Sequence, residues 1–283
     1  MIRFNYLIPF AIVLSLIVSA GCLQEHPAPI GVNNTTPIRH ANMQTSLHEM
    51  TGSIQYNLDA FNSSIDDVAA SLGETGLSGL KADTLVEDLA SCHPAILSAI
   101  TVDTNGTVLS AAPDNAKILI GQNIAYQEAI SLVLSTRQPA MSKYFTLRQG
   151  GEGVAIVSPV FSPRGEFLGA LSMAFSPSLL VTPFAEESKT RAPFTYIVTQ
   201  PDGVILYHSN PILVGKQAFD EPFFERFPEI LDLVNRCITE RTGYTTFLFY
   251  KDDSEEIVPK ETFWDTVALH NNEWRVLVVA EKE

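Results

Sequence analysis

Between residues 43 and 72 one apolar stripe runs through the chain: Met43, Leu47, Met50, Ile54, Leu58, Phe61, Ile65, Val68 and Leu72, at steps of 4, 3, 4, 4, 3, 4, 3 and 4. Steps of three and four keep side chains on one face of an α-helix, so the spacing predicts a single long helix. About 30 residues at 1.5 Å rise make a rod of roughly 45 Å, longer than one small domain is wide. The expectation is a helix lying along two stacked modules. A 4-3 spacing is also the a/d pattern of a coiled coil, and a dimer seam stays open as a second reading. Against it, the stripe carries Phe and Met and lacks a regular e/g charge code. Gly73, followed by Gly76 and Gly79, is expected to end the helix in a loop.

Downstream, a β-rich pattern occurs twice. Ile96 to Val102 and Thr107 to Ala112 are β-prone runs around the hairpin turn Asp103-Thr104-Asn105-Gly106. A helical stretch, Tyr126 to Ser135, precedes three more strand-like runs: Ala140 to Leu147, Val154 to Phe161 and Phe167 to Phe175. The second copy opens with Phe194 to Thr199 and Val204 to His208 around Gln200-Pro201-Asp202-Gly203. A helical region, Pro222 to Thr239, and the runs Tyr244 to Tyr250, Phe263 to Leu269 and Trp274 to Ala280 complete it. Locally, Asp103 to Leu109 with Pro113 and Ile120-Gly121 corresponds to Pro201 to Leu206 with Pro211 and Val214-Gly215. The repeat of element order implies a tandem duplication of one α+β module. Each copy should be an antiparallel five-stranded sheet, PAS-like, flanked by helices.

At the N-terminus, Leu7 to Ala20 is apolar except for Pro9, Ser15 and Ser19, follows Arg3 and ends in small residues. That is the layout of a secretory signal, and the run is short of the about 20 residues that a spanning helix needs. Ser19-Ala20-Gly21-Cys22 resembles a bacterial lipobox, in which the Cys22 thiol is lipidated before cleavage; Ser19 stands where such boxes usually carry Leu. An uncleaved anchor and free release are the alternatives, and all three place the folded part outside the cytoplasm. Loss of residues 1–21 removes only Arg3 among charged groups, so the formal charge goes from −14 to −15. Such acidity argues against nucleic acid or anionic lipid as partner. Three prolines between Leu23 and His40 and the absence of periodicity mark a tether. Cys92 and Cys237 fall in different parts of the chain and are expected to be buried free thiols, with a disulfide as the alternative.

The long leading helix, Val102-Asp103-x-x-Gly106-x-Val108-Leu109 followed by Ile120-Gly121, Ser158-Pro159-Val160 followed by Leu168-Gly169, and the terminal Glu273 to Val279 together resemble the double Cache family. These are extracytoplasmic sensor units of chemoreceptors and sensor kinases, and the resemblance covers roughly residues 42 to 280. With the N-terminal reading, the chain divides into a signal peptide (1–21), a tether (22–41), the long helix with a connecting helix (42–94), a membrane-distal module (95–176), a linker (177–193) and a membrane-proximal module (194–283), the distal and proximal places being what the resemblance implies. The resemblance further implies a ligand pocket in the distal module, around Tyr126, Ser142, Tyr144, Thr146, Ser158, Ser172 and Met173. Aromatic walls and hydroxyls without fixed charge suit a small neutral or weakly polar solute. Lys143 and Arg137 approach a carboxylate only if the alignment slips by a residue. The amino-acid-binding subgroup uses Arg-x-Trp-Tyr, Pro-Tyr-x-Asp and a strand-terminal aspartate. Here the corresponding stretches read Asn123-Ile124-Ala125-Tyr126, Lys143-Tyr144-Phe145-Thr146 and Leu171-Ser172-Met173-Ala174. The groups that would hold an α-carboxylate and an ammonium are missing, so free α-amino acids are not expected to bind by that scheme.

Nothing in the sequence outlines a catalytic centre, a metal site or a cofactor. The six histidines are scattered, no Gly-x-Ser-x-Gly elbow or Walker loop occurs, and Asp252 to Glu256 is a charged hairpin tip. The expectation is a non-catalytic, membrane-held binding protein that presents a solute or a ligand-dependent conformation to a membrane receptor or transporter. The alternative is a structural module with a degenerate pocket that dimerises or docks through its long helix.

Overall fold

The computed structural model describes residues 35–217, 227–251 and 254–282. The signal segment, Cys22 and most of the tether lie outside them. The first helix, α1 (Thr35–Thr75), is 41 residues long, about 60 Å at 1.5 Å per residue. It starts eight residues before the stripe, so residues 35–41, assigned to the tether by composition, are helical. Pro37 is tolerated there because the first-turn backbone N–H groups have no intrahelical partner in any case. Every stripe residue is buried except the half-buried Val68, whose neighbour Ala69 is buried in its place.

Next come α2 (Leu80–Ser91) and the first sheet: β1 (Ile96–Asp103), β2 (Val108–Ala112), β3 (Ala140–Met141), β4 (Phe145–Thr146), β5 (Glu152–Phe161) and β6 (Phe167–Phe175). Its order is β2-β1-β6-β5-β3, with β4 also paired to β5. The 3-10 turn Asp114–Leu119 and α3 (Glu128–Thr136) lie between β2 and β3. After α4 (Pro177–Lys189) the second sheet follows: β7 (Thr195–Thr199), β8 (Ile205–His208), β9 (Gly243–Tyr250), β10 (Ile257–Leu269) and β11 (Asn272–Glu281), with α5 (Pro228–Thr239) before β9. Its order is β8-β7-β11-β10-β9. All pairings are antiparallel. Numbered within each copy, leaving out β4, both sheets read 2-1-5-4-3, the topological signature of the duplicated PAS-like module.

Several elements depart from the sequence expectations. The run Ala140 to Leu147 is not one strand, because Ser142 to Tyr144 leave the sheet between β3 and β4. β10 begins six residues before Phe263, at Ile257; Pro259 and the neighbouring charges mask its β character in the sequence. The connecting segment is largely the helix α4, capped by Ser176, whose Oγ accepts from Leu179 N at 3.2 Å, with Leu180, Val181 and Ala185 buried. Cys92 is exposed and only Cys237 is buried; both are free thiols.

One hydrophobic core joins the stripe of α1 to both sheets: Ile156, Met173 and Phe175 from the first, Tyr196, Val198, Trp274 and Val276 from the second. The stripe is therefore covered within the chain and is not available as a dimer seam. Polar contacts follow α1 along its length. Arg39 Nε (2.7 Å) and His40 Nε2 (2.8 Å) donate to Glu261 of β10. Gln55 exchanges two hydrogen bonds of 3.0 Å with the backbone of Ala268. Asn62 Oδ1 lies 2.7 Å from His270 Nε2, and Asp66 accepts from Ser158 Oγ at 2.7 Å.

Gly73 is inside the last turns of α1, not beyond its end. A Cβ there would sit 2.1 Å from the carbonyl oxygen of Phe161, so only glycine lets the helix cross the end of β5 this closely. Gly73→Ala is expected to destabilise by about 1–3 kcal/mol, the cost of overpacking, although Ala is favoured over Gly in a helix by about 1 kcal/mol. Urea denaturation checks this, and an unchanged or raised midpoint would refute the close-approach argument.

Candidate functional site

The first sheet has two covered faces. Ile156 and Val160 of β5 and Leu171, Met173 and Phe175 of β6 point to α1. The alternate residues Ala155, Val157, Ala170 and Ala174 point to the other face, under the 3-10 turn and α3, where Ile124, Ile130 and Val133 cover them. A solute site between sheet and α3 can draw only on this second set, because strand side chains alternate.

That rule disperses the seven residues expected to share a pocket. Ser172 belongs to the α3 side: it is buried and stands opposite Ile100 and Val157, both in that core. Ser158 and Met173 do not, since Ser158 bonds Asp66 of α1 and Met173 lies in the α1 core. Tyr144 and Thr146 turn the other way from Phe145, and both hydroxyls donate to Glu152, at 3.3 Å and 3.5 Å. Burial and the Glu152 carboxylate push the Tyr144 phenol up to about 12, so it remains protonated and donates. Ser142 Oγ is occupied locally, donating to Lys143 O at 2.7 Å and accepting from Ala155 N at 2.9 Å. Tyr126 stays in the α3 region but is exposed at the rim, with the Arg148 guanidinium 5.3 Å from its ring centroid.

Neither cation considered from the sequence reaches this face. Lys143 pairs with Asp202 at 3.3 Å, and Arg137, at a left-handed helix cap, stacks on Phe167 at 4.7 Å. Arg148 takes that place, donating to Gln122 Oε1 at 2.7 Å, while Gln149 Nε2 donates to Ser98 Oγ at 2.9 Å. The expected uncharged lining thus becomes a floor of small residues with amides, a hydroxyl and one arginine at its edge. Residues 147–153 read from the sequence as a strand end and glycine turn, and only a polar edge flanking a small-residue floor could have signalled their role. Such an arrangement can bind by hydrogen bonding and stacking. Among the described residues no three His, Cys, Asp or Glu side chains converge on a metal position.

The break between β3 and β4 also joins the modules. Met141 N donates to Asn271 Oδ1 (3.0 Å), Asn272 Nδ2 to Ser142 O (2.7 Å) and Tyr144 N to Gln200 Oε1 (3.1 Å). These partners sit on two hairpin turns of the second sheet, which in the sequence look like turns only.

Residues 56–177 match the family model of the HK/GC/chemotaxis protein-like sensor domain. An extracellular ligand binding receptor from Desulfohalobium retbaense superposes with a TM-score of 0.70 at 24% identity, over 84% of this chain. The fold is the double Cache arrangement. This chain spans 40% of the length of the Desulfohalobium receptor. Double Cache likeness extends to the ligand binding domain of the Pseudomonas aeruginosa amino acid chemoreceptor PctB in complex with L-Arg, with a TM-score of 0.61, 15% identity and coverage of 87% of this chain and 94% of that one. It extends also to the ligand-binding domain of Pseudomonas fluorescens chemoreceptor CtaA in complex with L-valine, with a TM-score of 0.61, 14% identity and coverage of 87% and 99%. No curated protein matches the sequence significantly.

Proposed function

We propose that the protein binds a small neutral or weakly polar solute outside the cytoplasm, in its first Cache module, and presents the ligand or a ligand-dependent conformation to a membrane receptor or transporter. The observation that carries this reading is the Met141 to Tyr144 segment. It adjoins the α3 face of the first sheet through Ala155 and is held from the other side by Gln200, Asn271 and Asn272. A solute that shifts β3 and β4 would act directly on the second module. The extracytoplasmic address and attachment at Cys22 rest on the apolar run Leu7 to Ala20 and the small residues before the cysteine. The sensor-domain match over residues 56–177 supports the same location. No described helix is long and apolar enough to cross a membrane.

A thermal-shift screen of uncharged and weakly polar solutes against the full chain tests this. A true ligand should stabilise as RT ln(1 + [L]/Kd), about 2.7 kcal/mol at a hundredfold excess over Kd. Ser172→Leu, which fills the floor under α3, should abolish the shift. A broad screen without any shift would sink the solute reading in favour of a purely structural module.

A further inference from the structure

The helices of the two modules cover their sheets differently. In the first, α3 lies over β5 and β6, where Ala155, Ala170 and Ala174 offer little bulk. In the second, the corresponding face of β11 carries the larger Leu277 and Val279, and α5 packs chiefly on β9, the edge strand. The C-terminal end of α5 is held to the sheet: Arg275 Nε donates to Cys237 O at 2.8 Å and Trp264 Nε1 to Glu240 O at 3.2 Å. These donors meet the last carbonyls of the helix, which have no intrahelical partner. Among the described residues this arrangement leaves a cavity of about 980 Å³, walled by Ile197 of β7, Leu233 and Val234 of α5, Phe247 and Phe249 of β9, and Leu277. The volume is at the upper end of the range of small-molecule sites, about 300–1,000 Å³.

Charge at this cavity is balanced. Lys260 of β10 is buried and already has an interaction within the protein, and Glu281 stands opposite it on β11. Lys251 and Glu255, both exposed, line the cavity together. Cys237 adds no charge: burial pushes its thiol up to about 12, so it is a neutral, small apolar surface. An ion of either sign would shed its hydration and meet both signs of charge, whereas an uncharged apolar body sheds little and gains the walls. Ser209 and Asn210 are exposed where they line the cavity, so a hydroxyl and an amide stand at its rim. We propose that the second module holds a binding site for a small uncharged aromatic solute, its body against Phe247, Phe249 and Leu233 and a single hydroxyl or carbonyl at the Ser209 and Asn210 rim. The site is separate from the first-module reading and does not depend on it.

Isothermal titration calorimetry on the full chain with benzyl alcohol, 2-phenylethanol and 3-phenylpropanol tests the proposal, with phenylacetate and phenethylamine as ions matched in shape to 2-phenylethanol. The expected result is saturable binding of the alcohols, tightening about fourfold with each added methylene. Both ions should bind at least about tenfold more weakly than 2-phenylethanol. Val234→Phe and Ile197→Phe, which add bulk at half-buried positions on opposite walls, should each weaken the alcohols at least about tenfold with little change in melting temperature. Both positions lie in the second module, so a loss there assigns the binding to this site and leaves the first-module reading untouched. The proposal is overturned if no alcohol binds, if affinity does not rise along the series, if either ion binds as tightly as 2-phenylethanol, or if a folded wall variant leaves the alcohols unaffected. Should one wall variant fail to fold, the other and the ligand series decide.

Discussion

Glu261→Ala is expected to lower the unfolding free energy by about 3–5 kcal/mol, the range for breaking a buried ion pair from one side. The Glu261 side chain is fully buried, and Arg39 is 13% exposed. Its two oxygens take hydrogen bonds from Arg39 Nε, His40 Nε2 and the Tyr244 hydroxyl at 2.7, 2.8 and 2.9 Å. His40 further packs edge-on against Phe263, with ring centroids 5.2 Å apart. Removing the carboxylate leaves cationic and polar groups facing an apolar wall, and the first turns of α1 lose their anchor. The pH dependence carries a sign. Burial pushes the Glu261 carboxyl up, but hydrogen bonds from His40 and Tyr244 and the Arg39 charge outweigh it and hold the carboxyl below its ordinary value. A carboxyl depressed in the folded state stabilises fully above its unfolded value and loses that contribution as the pH falls through its folded value. The stability gap between wild type and variant in urea titrations should therefore be widest near neutrality and close on the acid side. A gap that widens on acidification would contradict the assignment.

Trp274→Ala should cost about 3–5 kcal/mol, the range for deleting a large aromatic from a packed core. Trp274 is completely buried on β11, and its ring centroid lies 6.1 Å from that of Phe175 on β6. Phe175 in turn meets Phe61 of α1 edge-to-face at 5.2 Å. Three elements from both modules and the long helix thus meet at one aromatic junction. Wild type should unfold in a single calorimetric transition, and Trp274→Ala should split it into two. Retention of one transition with a loss below about 1 kcal/mol would show that the modules are coupled elsewhere.

The fold was largely legible because it rests on periodicity. The 4-3 stripe announces α1, and the repeated hairpins at Asp103 to Gly106 and Gln200 to Gly203 announce the duplicated sheet. The start of α1 was hidden by Pro37 and by the distance in sequence between Arg39 and its partner Glu261. The candidate site was less legible, because a site residue depends on which face a strand presents and a one-residue difference reverses that face. Ser158 and Ser172 look alike in sequence, yet the first faces α1 and the second faces the α3 core. Composition likewise gave no warning that Tyr144 would point at Glu152 and Gly215 of the second module would lie against both.

The tie points along α1 also restrict how movement can pass through the molecule. Its early turns are fastened to the second sheet at Glu261, Ala268 and His270, its later ones to the first sheet at Ser158 and, through Gly73, at Phe161. Sliding by one helical turn, about 5.4 Å, would break all of these at once and open the Gly73 crossing. The ties therefore fix the register of α1 against both sheets at once, and the helix is a strut of fixed position along them, not a piston free to slide.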